Sequence, residues 1–316
     1  MSSAADRTAW TRRLEAIAIP DSRLARMLGQ PLKNARIALM RRTGSEARVA
    51  APTFWGDTFH GVLPEAVSAL VWRFAMYEKA TSLFLLRYLQ PGATFVDIGA
   101  HFGYFSLLAS RLVGSDGRVV AIEAMPTTFG YLDANLRAND VANVTAVNLA
   151  AAAEPMQLTF RDFGVVNSSL NSSGAARGVL AGREAAAVEV AVEARRGDDI
   201  LRDAGVTRAD IIKIDAESSE EQVLAGLDAT LAATPRPMVL IELGGGDAAE
   251  DVRSRAIVDE MARRGFGAFV FAGGVLRPIV LGARFPYANI VFADEAALSP
   301  VDRGPALSLS EGHAFA

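Results

Sequence analysis

The spacing of apolar residues changes along the chain, and each change marks a new kind of element. Leu70, Phe74, Tyr77, Thr81, Phe84 and Tyr88 recur in steps of four and three, which predicts one helix from Pro64 that ends at Pro91-Gly92. Beyond that stop, short continuous apolar runs alternate with helical stretches, the pattern of a parallel sheet wound with crossover helices. The predicted strands are Thr94–Asp97, Arg118–Glu123, Val144–Asn148, Ile211–Asp215 and Met238–Leu243. Helices are expected over Tyr104–Leu112, Phe129–Ala138, Glu220–Ala232 and Asp251–Arg264. Ala268–Phe271 and Asn289–Ala293 read as a closing strand pair, with Gly273-Gly274 at or near a turn.

Two stretches stand outside this alternation. Residues 1–60 hold Pro20, Pro31, Pro52 and scattered arginines, with short helical patterns and no strand that looks buried, so they read as an N-terminal helical arm or cap on a domain spanning 61–316. Residues 156–192 hold Asn167-Ser168-Ser169, Asn171-Ser172-Ser173-Gly174 and an Ala-rich run, and read as an insertion. Insertions at strand ends often shape pockets; a merely connecting loop is the open alternative.

Composition narrows the chemistry. With 51% hydrophobic and 22% charged residues over 316 positions, the chain can bury a large core, which excludes disordered and collagen-like classes. It has no cysteine, so disulfides, thiolate nucleophiles and Cys-ligated metals are excluded. The net charge of −4 gives no global basic field for nucleic acid. Residues 1–48 nevertheless carry ten Lys or Arg against four Asp or Glu, a basic arm suited to packing on an acidic body. Asp6, Arg7, Arg12 and Arg13 interrupt what a secretory signal would need, and no run approaches the roughly 18 apolar residues of a membrane span. These features point to a cytoplasmic protein with no membrane span.

The strongest local signal is Val96-Asp97-Ile98-Gly99-Ala100-His101-Phe102-Gly103-Tyr104: a buried strand ending in an acid, two glycines four apart, then a helix. Glycines permit a tight turn, and helix-start amides can face a ligand. The spacing is neither that of the three-glycine dinucleotide fingerprint nor that of a P-loop. A carboxylate at Asp97 would repel pyrophosphate and attract an ammonium or sulfonium group, and S-adenosylmethionine carries both; the alternative is an Asp that only caps the turn. Glu123 ends the next strand 26 residues later, near the distance at which an acid accepts both ribose hydroxyls of a nucleoside.

A third segment, Lys213-Ile214-Asp215-Ala216-Glu217, delivers two acids to the same sheet edge, and Glu242 ends the following strand. Asp215, Glu217 and Glu242 suit a general base for an alcohol acceptor, and clustered acids also suit a divalent cation such as Mg. Glu217 or Glu220 capping the next helix is the alternative. Of the three histidines only His101 lies in a motif, as a base or as a cover for the methionine end of the cofactor; no HExxH or Gly-x-Ser-x-Gly occurs. Trp55, Phe59, Trp72 and Phe163 could stack on an acceptor or simply pack in the core.

These motifs resemble the FkbM family of S-adenosylmethionine-dependent methyltransferases. The resemblance runs from Tyr77-Glu78 through Pro91-Gly92, Val96–Ala100, Gly103-Tyr104, Glu123-Ala124-Met125-Pro126, Asn135-Leu136, Asn139, Lys213–Glu217 and Ile241-Glu242 to Asn289–Phe292. It implies an α/β, class I (Rossmann-like) fold: a mostly parallel seven-stranded sheet with helices on both faces. It also implies O-methylation of a small hydroxylated acceptor, a sugar or a polyketide-like natural product. The cofactor set is then Glu78, Asp97, Gly99, Ala100, His101, Phe102, Gly103, Glu123, Ala124, Ala150 and Asp215, with Asp215, Glu217 and Glu242 as the candidate catalytic acids. Methyl transfer to nitrogen or carbon, and a cofactor-binding partner protein without catalysis, stay open. Two departures stand out: Ser218 replaces the glycine that usually follows Lys-Ile-Asp-Val-Glu, and His101-Phe102-Gly103 replaces Asn-Ile-Gly. An apolar helix beside the arm is compatible with a homodimer contact.

Overall fold

The computed structural model describes residues 4–17, 30–170, 187–216, 218–244, 248–282 and 285–309. The described part opens with helix Ala4–Ala16 and helix Pro31–Thr43, followed by an antiparallel hairpin of β1 (Ala47–Pro52) and β2 (Thr58–Leu63). The hairpin corrects the expectation of a mainly helical arm with no buried strand, and β2 runs through residue 60, where the arm was expected to end. Asn135 clamps it to the body, donating to the His60 carbonyl and accepting from the His60 amide at 2.7 Å. Trp55 and Phe59 are core residues, 5% and 1% exposed. The first helix docks through the fully buried Leu14 and through Arg7, which donates to the carbonyls of Leu86, Leu89 and Leu112. Those carbonyls end two helices whose last turns have no intrahelical donor left, so one guanidinium satisfies both.

The single helix expected from Pro64 is two, Ala66–Phe74 and Lys79–Tyr88, interrupted where Ala75 (φ 59°) and Glu78 (φ 38°) enter the left-handed region. Each half keeps one apolar face, so the spacing survives the break. Glu65 caps the first half, accepting from the amides of Val67 and Ser68.

The core is one sheet built from β3 (Thr94–Ile98), β4 (Arg118–Ile122), β5 (Val144–Val147), β9 (Ile211–Ile214), β10 (Met238–Leu243), β11 (Gly267–Ala272), β12 (Val275–Leu281), β13 (Ala288–Ala293) and β14 (Leu307–Leu309). Its order is β14-β12-β11-β13-β10-β9-β3-β4-β5, nine strands among the described residues where seven were expected. The five strands from β5 to β10 are parallel; β13 turns antiparallel, β11 pairs with it as the closing pair, and Gly273-Gly274 turns the chain into β12.

Successive residues feed opposite faces. Phe95, Val119, Ile211, Leu240 and Val291 join the core that includes Phe84, Leu107 and Leu108, whereas Val96, Val120, Ile212, Val239 and Phe292 join Ile200, Val223 and Ile257. Burial on both faces is why these strands read as continuous apolar runs. By the same alternation Asp97, Lys213, Glu242 and Asn289 point to the first face, and the register sets Asp97 against Lys213 and Glu242 against Asn289.

Of the expected insertion, residues 171–186 lie outside the described residues, and both flanking parts carry strands. Between β5 and β9 lie β6 (Ala150–Ala152), β7 (Met156–Asp162) and β8 (Val188–Arg196), a separate three-stranded sheet. Its inward residues Leu158, Phe160, Val190 and Val192 pack on Met125 and Ala150. The helix expected over Glu220–Ala232 divides into Glu220–Ala225 and Asp228–Leu231 at Gly226, where an added Cβ would lie 2.0 Å from the Ala152 carbonyl. Among the described residues no helix is long and apolar enough to cross a membrane.

Candidate active site

A cavity of about 300 Å³ opens at the carboxyl ends of β3, β4, β9 and β10, the edge where open α/β sheets bind ligands. Gly99, Ala100, His101, Phe102, Glu123, Ala124, Ala150, Asp215 and Glu242 all line it. Asp97, Gly103 and Glu78 do not line it, and Glu217 lies outside the described residues.

The glycine loop is shaped by its neighbours in the protein. Gly99 has φ 77°, and a Cβ there would sit 1.8 Å from the Asp215 carbonyl oxygen, so only glycine lets β3 leave the sheet beside β9. Gly103 has φ 84° and packs its Cα side on Leu132 rather than on the cavity. The loop amides before the helix are largely spent within the protein: Gly99 and Ala100 donate to the Ile122 carbonyl, His101 to Glu123, and Gly103 to the Ala100 carbonyl. What a ligand meets is the first turn of helix Tyr104–Val113, whose amides have no partner within the helix.

Glu123 is more heavily used than expected. Oε1 accepts from the Met125 amide (3.0 Å) and the Thr128 hydroxyl (2.6 Å), and Oε2 accepts from the His101 amide (2.7 Å). A carboxylate offers about four acceptor sites, so one remains, on Oε2, and a diol would be held there rather than by both oxygens. Asp97 is 1% exposed, accepts from the Ser106 hydroxyl and leaves Oδ1 without a partner. Burial pushes its carboxyl above the usual range, although Lys213 opposes the shift. It belongs to the support of the site, not to its lining.

Lys213 is the centre of that support. It is 3% exposed, its ammonium lies 3.0 Å from Asp215 Oδ2 and 5.2 Å from the Phe105 ring centre, and the charges of Asp215, Asp97, Glu78 and Glu242 outweigh burial to raise its pKa. A buried lysine must be paired, and here four carboxyl groups share it. Burial alone would make Asp215 a weak acid; Lys213 and a hydrogen bond from Glu242 reverse that and hold it below the usual carboxylate range. Burial and the adjacent Asp215 charge push Glu242 well above it. Charge is therefore favoured on Asp215, beside the Lys213 ammonium, over Glu242.

Glu78, expected in the cofactor set, accepts from Thr81 and Asn289, both at 2.8 Å, and burial raises its pKa. His101 stacks on Phe102 at 4.2 Å, and its Nε2 meets the Ser168 hydroxyl at 2.7 Å, tying the glycine loop to the segment after β7. Among the described residues no three His, Cys, Asp or Glu side chains group as a divalent cation needs, and Lys213 already supplies the positive charge beside Asp215.

The methyltransferase FkbM domain matches residues 97–267, just over half of the chain and the whole cavity edge from Asp97 to Glu242. The chain belongs to this family. It is 33% identical over 155 residues to the methyltransferase sdnD of Sordaria araneosa, covering 42% of this chain and 60% of that protein. It is 29% identical over 160 residues to the 31-O-demethyl-FK506 methyltransferase FkbM of Streptomyces tacrolimicus, covering 44% of this chain and 61% of that protein. The chain thus spans about three fifths of the length of these relatives. A crystal structure of methyltransferase FkbM from Methylobacillus flagellatus KT aligns over 91% of this chain and 58% of that one, at 14% identity and a TM-score of 0.40.

Within the FkbM frame the two departures have structural readings. Ser218 has φ 80°, a conformation natural to the usual glycine and strained for serine. His101, in place of the usual Asn, has φ 51° and provides the link to Ser168. Sequence reasoning missed Tyr77, Thr128 and Ser168 as site residues and gave Lys213 no role. Only Lys213 left a signal: a charge inside the apolar run Ile-Ile-Lys-Ile, on a strand buried on both faces.

Proposed function

We propose that the cavity binds S-adenosylmethionine and that the chain methylates a hydroxyl oxygen of a small acceptor, a sugar or a polyketide-like natural product. The residues suit this cofactor. Glu123 has one acceptor site for a ribose hydroxyl, Ala124, Met125, Leu149 and Ala150 give an apolar wall for a base, and the helix start after Gly103 suits a carboxylate. S-adenosylmethionine supplies an electrophilic sulfonium methyl.

The observation that carries the reading is that Asp215, paired with Lys213 at 3.0 Å, and Glu242 both stand in the cavity wall. A carboxylate there can take up the proton of an acceptor hydroxyl as that oxygen attacks, with Lys213 fixing the charge on Asp215. The surrounding apolar residues exclude water and hold the nucleophile in place. The name of the Streptomyces relative, a 31-O-demethyl-FK506 methyltransferase, supports oxygen as the atom methylated.

Calorimetric titration with S-adenosylmethionine and S-adenosylhomocysteine, followed by turnover on a panel of hydroxylated acceptors, tests the proposal. Micromolar binding is expected. Asp215→Asn should lower kcat by about a hundredfold or more, the usual contribution of a general base, while the cofactor Kd stays within about threefold. Full turnover by Asp215→Asn would refute the carboxylate role.

A further inference from the structure

The basic arm is only partly engaged with the body. Helix Pro31–Thr43 rests on helix Ala66–Phe74 and on the hairpin through one face: Ile37 and Met40 are buried against Leu63 and Ala69, and Lys33 donates to the Trp72 carbonyl at 2.7 Å with its ammonium 4.8 Å from that ring's centre. Seven residues make two helical turns, so Leu32 and Leu39 share a face, about 10 Å apart, on the side away from Ile37 and Met40. They are 85% and 61% exposed. Ala35 and Ala38, also exposed, continue the same stripe. Arg42 stands at its end, and Arg36 and Arg41 flank it on either side. All three arginines are exposed, and none of them meets an acid among the described residues.

One exposed leucine is ordinary; two in register between arginines make an amphipathic face turned outward. The helix holds four basic residues and no acid, in a chain whose net charge is −4. The negative end of the helix accounts for arginines in its last turn, but not for Arg36 in its middle nor for Leu32 and Leu39. A nucleic-acid backbone would match the arginines and leave the leucines in water. An acidic bilayer surface takes both, because a helix lying at headgroup level buries its apolar stripe at the acyl boundary while flanking arginines reach the phosphates. We propose that helix Pro31–Thr43 is a membrane-surface contact that lies on anionic lipid, with Leu32 and Leu39 at the acyl boundary and Arg36, Arg41 and Arg42 on the headgroups. Two leucines are a small apolar area, so the contact is reversible and weakens with salt. It holds whatever acceptor the cavity takes.

The test sediments the full chain with phosphatidylcholine vesicles that contain or lack phosphatidylglycerol. Wild type should partition onto the anionic vesicles about tenfold or more above the neutral ones, and the difference should shrink as salt is added. Arg41→Gln with Arg42→Gln should lower that partition about thirtyfold, the effect of two charges near an acidic surface. Leu32→Ser with Leu39→Ser should lower it about tenfold. All four side chains are exposed, so circular dichroism and the urea midpoint should stay at wild-type values and verify the fold. Equal partition onto both kinds of vesicle, binding to neither, or wild-type binding by either double variant would overturn the assignment. Two other occupants would overturn it as well: a second copy of the chain, seen as a dimer without lipid that the leucine variant makes monomeric, or a nucleic acid, seen as binding to single-stranded RNA that only the arginine variant loses.

Discussion

Replacing Lys213 with methionine keeps an unbranched side chain in its buried slot and removes the ammonium from among Asp215, Asp97, Glu78 and Glu242. Breaking one partner out of a buried ion pair costs about 3–5 kcal/mol. A second argument has the same sign: without Lys213, burial acts on Asp215 with its main opposing charge gone, and Asp215 joins its neighbours in having a raised pKa. The sign with pH follows from the groups involved. In the wild type the raised Lys213 stabilises the fold below its ordinary pKa and stops doing so only as pH rises through the folded value, while the depressed Asp215 adds stability above the ordinary Asp range and loses it as pH falls. In the variant both contributions vanish, and carboxyls with raised folded values destabilise the protein as pH climbs through them. Urea unfolding followed by circular dichroism should therefore show a deficit larger at pH 8 than at pH 5, by about 2 kcal/mol. A deficit equal at the two pH values, or below about 1 kcal/mol, would refute the view that Lys213 is the electrostatic anchor of the site.

Three further outcomes are expected. Glu123→Gln should weaken S-adenosylmethionine at least tenfold in calorimetry, because an amide cannot accept from His101, Met125 and Thr128 at once and still serve a ligand. Ser218→Gly should raise the urea midpoint by the equivalent of about 0.5–1 kcal/mol, since a left-handed serine costs about 1–2 kcal/mol and the freer unfolded chain returns part of it; an unchanged or lower midpoint would contradict the strain. Arg7→Ala should lower stability by about 2 kcal/mol and speed amide exchange across residues 4–16, the helix that Arg7 ties to two others.

How far the sequence could be read depended on whether the deciding contact was local. Parallel strands buried on both faces announce themselves as apolar runs, and Val96-Asp97-Ile98-Gly99 carried its own turn. The β1–β2 hairpin was hidden because Ala47, Ala50 and Ala51 give a weak two-residue alternation and because Asn135, 75 residues beyond His60, is what anchors it. The break before Lys79 was hidden because Ala75 and Glu78 adopt left-handed angles that normally call for glycine, at the demand of packing. The ends of the sheet strands gave the acids Glu123, Asp215 and Glu242, but their surroundings come from elsewhere: Thr128, which donates to Glu123, from a following helix, and Glu78, which shares the charge of Lys213 with Asp215, from before β3. Placement was local information; occupancy of each oxygen was not.

The contact between Gly99 and the Asp215 carbonyl links the loop that follows β3 to the acid that follows β9 through main chain alone. A spacing fixed by backbone cannot be tuned by exchanging side chains. In a lineage that diversifies its acceptors, the separation between the glycine loop and Asp215 would then be inherited unchanged. Novelty would accumulate where the wall is made of side chains and of the sheet after β5, so that new substrates are fitted to an old frame.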